Sequence, residues 1–84
     1  MSNFHEETRR KLESVFANIL QEPVEAISDD TSPLTAPRWD SICHIELVLA
    51  VEGAFNVQFT TSEIATFRKL ADFRQTLQMR GLAA

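Results

Sequence analysis

From Ile42 to Phe55 the chain carries apolar residues on two sides of one helix, and nothing else in it restricts the fold so much. At 100° per residue, Leu47, Val48, Val51 and Phe55 fall on one face, with His44 among them. Ile42, Ile45 and Leu49 fall roughly opposite, interleaved with Glu46 and Glu52. One apolar stripe is enough to bury a helix in a small domain. The first face therefore demands other helices to pack on. The second, with its acidic neighbours, is expected to be offered to something else.

The rest of the chain supplies those other helices. Residues from about Phe4 to Leu20 read as a first helix, with Asn3 and Glu6 spaced as a capping box. Leu12, Val15, Phe16 and Ile19 form its stripe, with Phe4 and Thr8 one and two turns earlier. Arg9, Arg10 and Lys11 lie off that stripe and are balanced by Glu6, Glu7 and Glu13, the pattern of a solvated face. Pro23 ends the helix. Residues 21–39 then lack any period and hold Pro23, Pro33, Pro37 and the turn-forming run Ser28-Asp29-Asp30-Thr31-Ser32. This connection is long against a usual median of about 4–6 residues, and Ile27, Leu34 and Trp39 are expected to pin it to the helices.

Asp40 is a good N-cap for the second helix, starting near Ser41 and ending around Phe55-Asn56. Gly53 in its last turn marks fraying or the close approach of another chain. Val57 and Phe59 alternate too briefly for a sheet. Thr60 with Glu63 opens a short third helix carrying Ile64 and Phe67. A last helix spans about Leu70 to Met79, with Leu70, Phe73 and Leu77 inward and Arg74 snorkelling outward. Gly81 stops it, and the tail Leu82-Ala83-Ala84 is expected to be loose. The expectation is all-α: one domain over residues 1–84, a four-helix bundle with a long loop between helices one and two and a short third helix.

Composition narrows the function. A chain of 84 residues buries only about 60–65% of its surface on folding and has little room for a deep active site. A binding, carrier or regulatory module suits it better than a self-sufficient enzyme. Residues 21–63 hold eight acids (Glu22, Glu25, Asp29, Asp30, Asp40, Glu46, Glu52 and Glu63) against the single base Arg38. Such a middle repels phosphate backbones, so no nucleic acid is expected as a partner. Basic protein patches are the natural complement. Cys43 is the lone cysteine and allows no internal disulfide. No signal-like N-terminus, membrane-length apolar run or metal-ligand spacing occurs, so a soluble, cytoplasmic chain without membrane insertion or bound metal is expected.

Ser41 is the residue with chemical potential. Taken alone it is a helix-start serine with no activating base, because His44 projects toward the core and no acid is placed behind it. It is a poor nucleophile but a suitable acceptor for modification by another enzyme. A phosphate esterified there would gain about 0.3–1 kcal/mol from the positive end of the helix dipole. Trp39 reads as a loop anchor, Cys43 as an ordinary thiol and His44 as packed and hydrogen-bonded.

Asp40-Ser41-Ile42, followed by Ile45-Glu46-Leu47-Val48, Val51-Glu52 and Phe55, resembles the acyl carrier protein family. That family shows Asp-Ser-Leu, then a hydrophobic-Glu-Leu pattern, a hydrophobic-Glu pair and a phenylalanine at matching spacing. Phe59, Ile64 and Leu70-Ala71-Asp72-Phe73 fit its third and fourth helices, so the likeness covers nearly the whole chain. The resemblance implies that Ser41 carries 4′-phosphopantetheine, attached from coenzyme A by a phosphopantetheinyl transferase. The arm's thiol would hold an acyl or aminoacyl group as a thioester. It implies a monomeric, non-catalytic carrier serving an acyl- or aminoacyl-activating ligase and downstream synthase enzymes of fatty acid-like, polyketide-like or other specialised biosynthesis. Asp40, Glu46 and Glu52 would steer partners, and Ile42, Ile45 and Leu49 would give a small apolar contact. The core side of the second helix, with Phe59, Ile64 and Phe67, would either open to shelter an acyl chain or simply pack.

Four residues depart from the family. Arg38-Trp39 stand where glycine often precedes the aspartate, and Cys43 and Gly53 occupy positions often acidic in fatty-acid-synthesis carriers. These suggest a specialised free-standing carrier, with Arg38 altering which partners are tolerated. The alternatives are an aminoacyl or peptidyl carrier, an unmodified helical adaptor that kept the fold, and more distantly a hydrolase using Ser41.

Overall fold

The computed structural model describes residues 4–81, with side chains from Glu6 onward. Its helices are α1 (Phe4–Leu20), α2 (Ser41–Phe55), α3 (Thr61–Thr66) and α4 (Leu70–Met79), with one 3-10 turn at Val24–Ala26. No strand occurs among the described residues, so the chain is the all-α bundle expected, with the long first loop and the short third helix. Asn3, the Phe4 side chain and residues 82–84 lie outside the described part.

Helix α1 buries Thr8, Leu12, Phe16 and Leu20 at four-residue spacing, and Val15 and Ile19 are half-buried beside them. Its end is a Schellman closure: Gln21 turns left-handed at φ 58°, and the Glu22 N–H reaches back to the Ala17 carbonyl at 3.1 Å. On the outer face Arg9 pairs with Glu6 at 3.4 Å and Glu13 at 3.7 Å, and Arg10 with Glu6 at 3.7 Å. Arg9 and Arg10 form the solvated face their charge balance indicated, while Lys11 reaches across to α2.

Helix α2 buries Cys43, Leu47, Val48 and Val51. Phe55 is only half-buried, with the Lys11 ammonium 4.9 Å above its ring. The helix closes at Asn56, left-handed at φ 56°, with the Val57 N–H on the Glu52 carbonyl at 3.1 Å. A Cβ at Gly53 would meet no atom within 4 Å, so nothing in the described chain requires glycine there.

Phe73 of α4 is the hub of the core. It is fully buried, stacked on Phe67 at 4.2 Å and edge-on to Phe16 at 5.0 Å. Trp39, His44 and Phe59 ring it at 6.3–6.4 Å. Leu70, Ala71 and Leu77 complete the buried face of α4.

The long loop is tied down by Ile27 and Trp39, both buried as expected. Leu34 is a correction: it is 95% exposed. Thr35 and Ala36 donate their N–H groups to the Ser32 carbonyl at 3.0 and 2.8 Å, which puts Pro33 and Leu34 on the crest of a turn and tucks Ala36 into the core. The loop also caps α4. The Leu70 and Ala71 N–H groups, which have no acceptor inside the helix, donate to the Thr31 and Asp29 carbonyls at 3.0 and 3.1 Å. Arg74 departs from the outward snorkelling expected of it and grips the Asp29 carboxylate with two hydrogen bonds of 3.1 and 2.9 Å.

Helix α3 is opened by the anticipated capping box, Thr60 N–H to Glu63 at 2.8 Å and Glu63 N–H to Thr60 at 3.1 Å. None of its residues is fully buried. Ile64 is half-buried, and Phe67 lies just past the helix end, inside the core.

Candidate functional site

The site is the head of α2. Asp40 is extended there, and its carboxylate accepts from the Cys43 N–H at 2.9 Å. This satisfies one of the backbone donors that a helix start leaves unpaired. The N–H groups of Ser41 and Ile42 remain without a helical acceptor. The Ser41 side chain is exposed, and its hydroxyl has no hydrogen-bond partner among the described residues.

Trp39 and His44 hold this segment from either side. The Trp39 indole N–H donates to His44 Nδ1 at 3.1 Å, and the rings stack with centroids 6.0 Å apart. With Nδ1 accepting, the ring proton sits on Nε2, which faces the Ile64 carbonyl of α3 at 3.3 Å. Sequence reading placed both residues inward but did not join them. The signal was present: they occupy the positions just before the cap and four residues past it, where a hydrophobic staple forms. With both nitrogens engaged, His44 is not poised as a base for Ser41.

Arg38 is fixed from the other direction. Its Nε–H donates to the Ile19 carbonyl of α1 at 3.2 Å, one of the acceptors that a helix end leaves free. Arg38, Asp40, Ile42, Cys43 and Glu46 surround a shallow groove beside Ser41. Burial pushes the Cys43 thiol above its ordinary pKa, the Glu46 and Asp40 carboxylates push it further, and Arg38 partly opposes them.

Below the groove the outer face of α2 is open: Ile42 is 73% exposed, Ile45 53% and Leu49 60%, with Glu46 exposed between them. Glu52 is half-buried and accepts the Phe59 N–H at 2.8 Å, tying α2 to the segment that leads into α3. The structure thus gathers Arg38, Asp40, Ile42 and Glu46 around the groove beside Ser41, extends the face through Ile45 and Leu49, and joins Glu52 to the Phe59 backbone. On the inner side, Phe59 and Phe67 meet edge-to-face at 5.0 Å and act as core packing.

Among the described residues no three His, Cys, Asp or Glu side chains are placed to hold a metal ion, and no helix is long and apolar enough to cross a membrane. A family model described as a phosphopantetheine attachment site matches residues 10–77, from α1 to the last turn of α4. No curated protein matches the chain.

Proposed function

This chain belongs to the phosphopantetheine attachment-site family of carriers, and we propose that Ser41 is the residue through which it carries 4′-phosphopantetheine. The observation that supports this is the Ser41 hydroxyl, exposed and unpartnered in the first turn of α2. The residues there fit the group. A phosphodiester on Ser41 would face the unpaired N–H groups of Ser41 and Ile42 and the positive end of the helix dipole. When bound, the group supplies a terminal thiol that holds an acyl chain as a thioester on a flexible tether, raising its effective concentration at a docked enzyme.

The chain's own residues present and steer. Ile42, Ile45 and Leu49 form the apolar contact for partner enzymes, and Asp40 and Glu46 draw in basic patches. Contacts of this kind are small and brief, as a shuttle between enzymes requires. The partners we assign are a phosphopantetheinyl transferase, an acyl-activating ligase and downstream synthases, served by residues 1–84 as one monomeric carrier domain. Members of this family are generally non-catalytic. The engagement of both His44 ring nitrogens supports the same reading here, against hydrolysis at Ser41. Arg38 and Cys43 around the groove support a specialised acyl cargo rather than the housekeeping fatty acid one.

The test is to incubate the apo-protein with coenzyme A and a broad-specificity phosphopantetheinyl transferase and to record the intact mass. One addition, mapped to Ser41 and absent from a folded Ser41→Ala variant, is expected. A folded wild-type protein that takes no addition from two different transferases would overturn the assignment.

A further inference from the structure

The groove is lined by Asp40 and Ile42, the chain neighbours of Ser41, and a group esterified to that serine starts within reach of it. Resting on Ser41 as the attachment residue, we infer that the groove is a resting site for the tethered arm, with Arg38 holding its phosphodiester.

Arg38 is the only base between residues 21 and 63, and it is held in place rather than free. Its Nε–H is used on the Ile19 carbonyl. The two terminal nitrogens remain for an anion, and a guanidinium edge pairs with two phosphate oxygens at once. The other charges around the groove set a direction. Asp40 already accepts from the Cys43 N–H, and Glu46 takes no hydrogen bond from a described residue. Both carboxylates repel the phosphate and keep it at the Arg38 end.

The arm's chemistry runs in the matching order. After the phosphate come two geminal methyls, a hydroxyl and two amides. Arg38 precedes α2, Ile42 and Cys43 stand in its first turn, and Glu46 lies one turn on. The methyls meet Ile42 and Cys43, and an amide N–H donates to Glu46. A resting arm so placed lies against Ile42, which is also the start of the open apolar face. A partner that covers that face displaces the arm, so docking and release of the cargo end are coupled.

The experiment compares loaded wild-type protein with loaded Arg38→Gln, a change that removes the charge but keeps an N–H donor for Ile19. Loading is verified by mass. Nuclear Overhauser contacts between the arm's methyls and Ile42 are expected in the wild type, weakened at least several-fold in R38Q. A shifted phosphorus resonance and faster methyl reorientation should accompany that loss. Raising the salt concentration should weaken the same contacts in the wild type, which tests the ion pair even where R38Q does not load. A loaded wild-type arm with no contact to Ile42, or contacts indifferent to both salt and R38Q, overturns the resting site and leaves Ser41 attachment standing. A folded wild type that does not load at all overturns both.

Discussion

Trp39 and His44 close a staple across the head of α2, joined by an N–H···N bond of 3.1 Å with their rings stacked. Asp40 and Ser41 lie between them in sequence, so the exposed serine is displayed on a segment whose flanks are fixed. His44 continues the link to α3 through the Ile64 carbonyl.

The staple makes a spectroscopic and a thermodynamic prediction. Nitrogen NMR should find the His44 ring proton on Nε2; a proton on Nδ1 would contradict the bond. Trp39→Phe keeps a ring but leaves a partly buried acceptor unsatisfied, a loss of about 1–3 kcal/mol. Denaturant unfolding with an unchanged midpoint would show that the hydrogen bond does not hold the segment.

Asp29 and Arg74 join the long loop to α4 across 45 positions of sequence. Their side chains are 44% and 25% exposed, so solvent screens the pair and its coupling should be about 0.5–1 kcal/mol. A double-mutant cycle of Asp29→Asn and Arg74→Met, read by unfolding at low and high salt, checks this. Coupling indistinguishable from zero at low salt would leave the two backbone bonds from Leu70 and Ala71 as the polar part of the attachment.

Glu63 gives the acid limit of α3. The Thr60 N–H holds its carboxyl below the ordinary glutamate pKa, and the Arg80 guanidinium adds to the effect. A lowered folded value means the stabilisation is complete above the ordinary glutamate range and is lost as pH falls through the folded value. Melting temperature should therefore drop less steeply on acidification in Glu63→Gln than in the wild type. Parallel curves for the two proteins would remove the capping box from the acid response.

Three apolar truncations should rank by burial. Phe16→Ala empties a fully buried site that touches Trp39 and Phe73 and should cost about 3–5 kcal/mol. Phe55→Ala, half-buried under Lys11, should cost only about 1–2 kcal/mol. Leu49→Ser on the open face should stay within about 0.5 kcal/mol while slowing transferase loading. A Leu49→Ser protein that melts as early as Phe16→Ala would mean the open face is packed after all.

The helix boundaries were legible because their signals are local. Asp40 before Ser41, Thr60 before Glu63 and the stripe Leu12–Phe16 each act within four residues. The candidate serine and the two-sided helix behind it were legible for the same reason. The burial of Ala36 rather than Leu34 was not, because the direction of that turn depends on which N–H groups reach the Ser32 carbonyl. Glu52 reads as a surface acid until the Phe59 N–H is found beside it.

By itself the sequence determined the helices, the N-caps of α2 and α3, the acidic middle and the display of Ser41 at a helix start, since periodicity and capping are short-range. The tertiary structure alone decided that Arg38 docks on the end of α1, that Asp29 and Thr31 cap α4, and that Arg74 turns back to Asp29. Those partners lie 19 to 45 positions apart. No local pattern names them, because where the helices and the loop come to rest is set by packing around the aromatic core at Phe73.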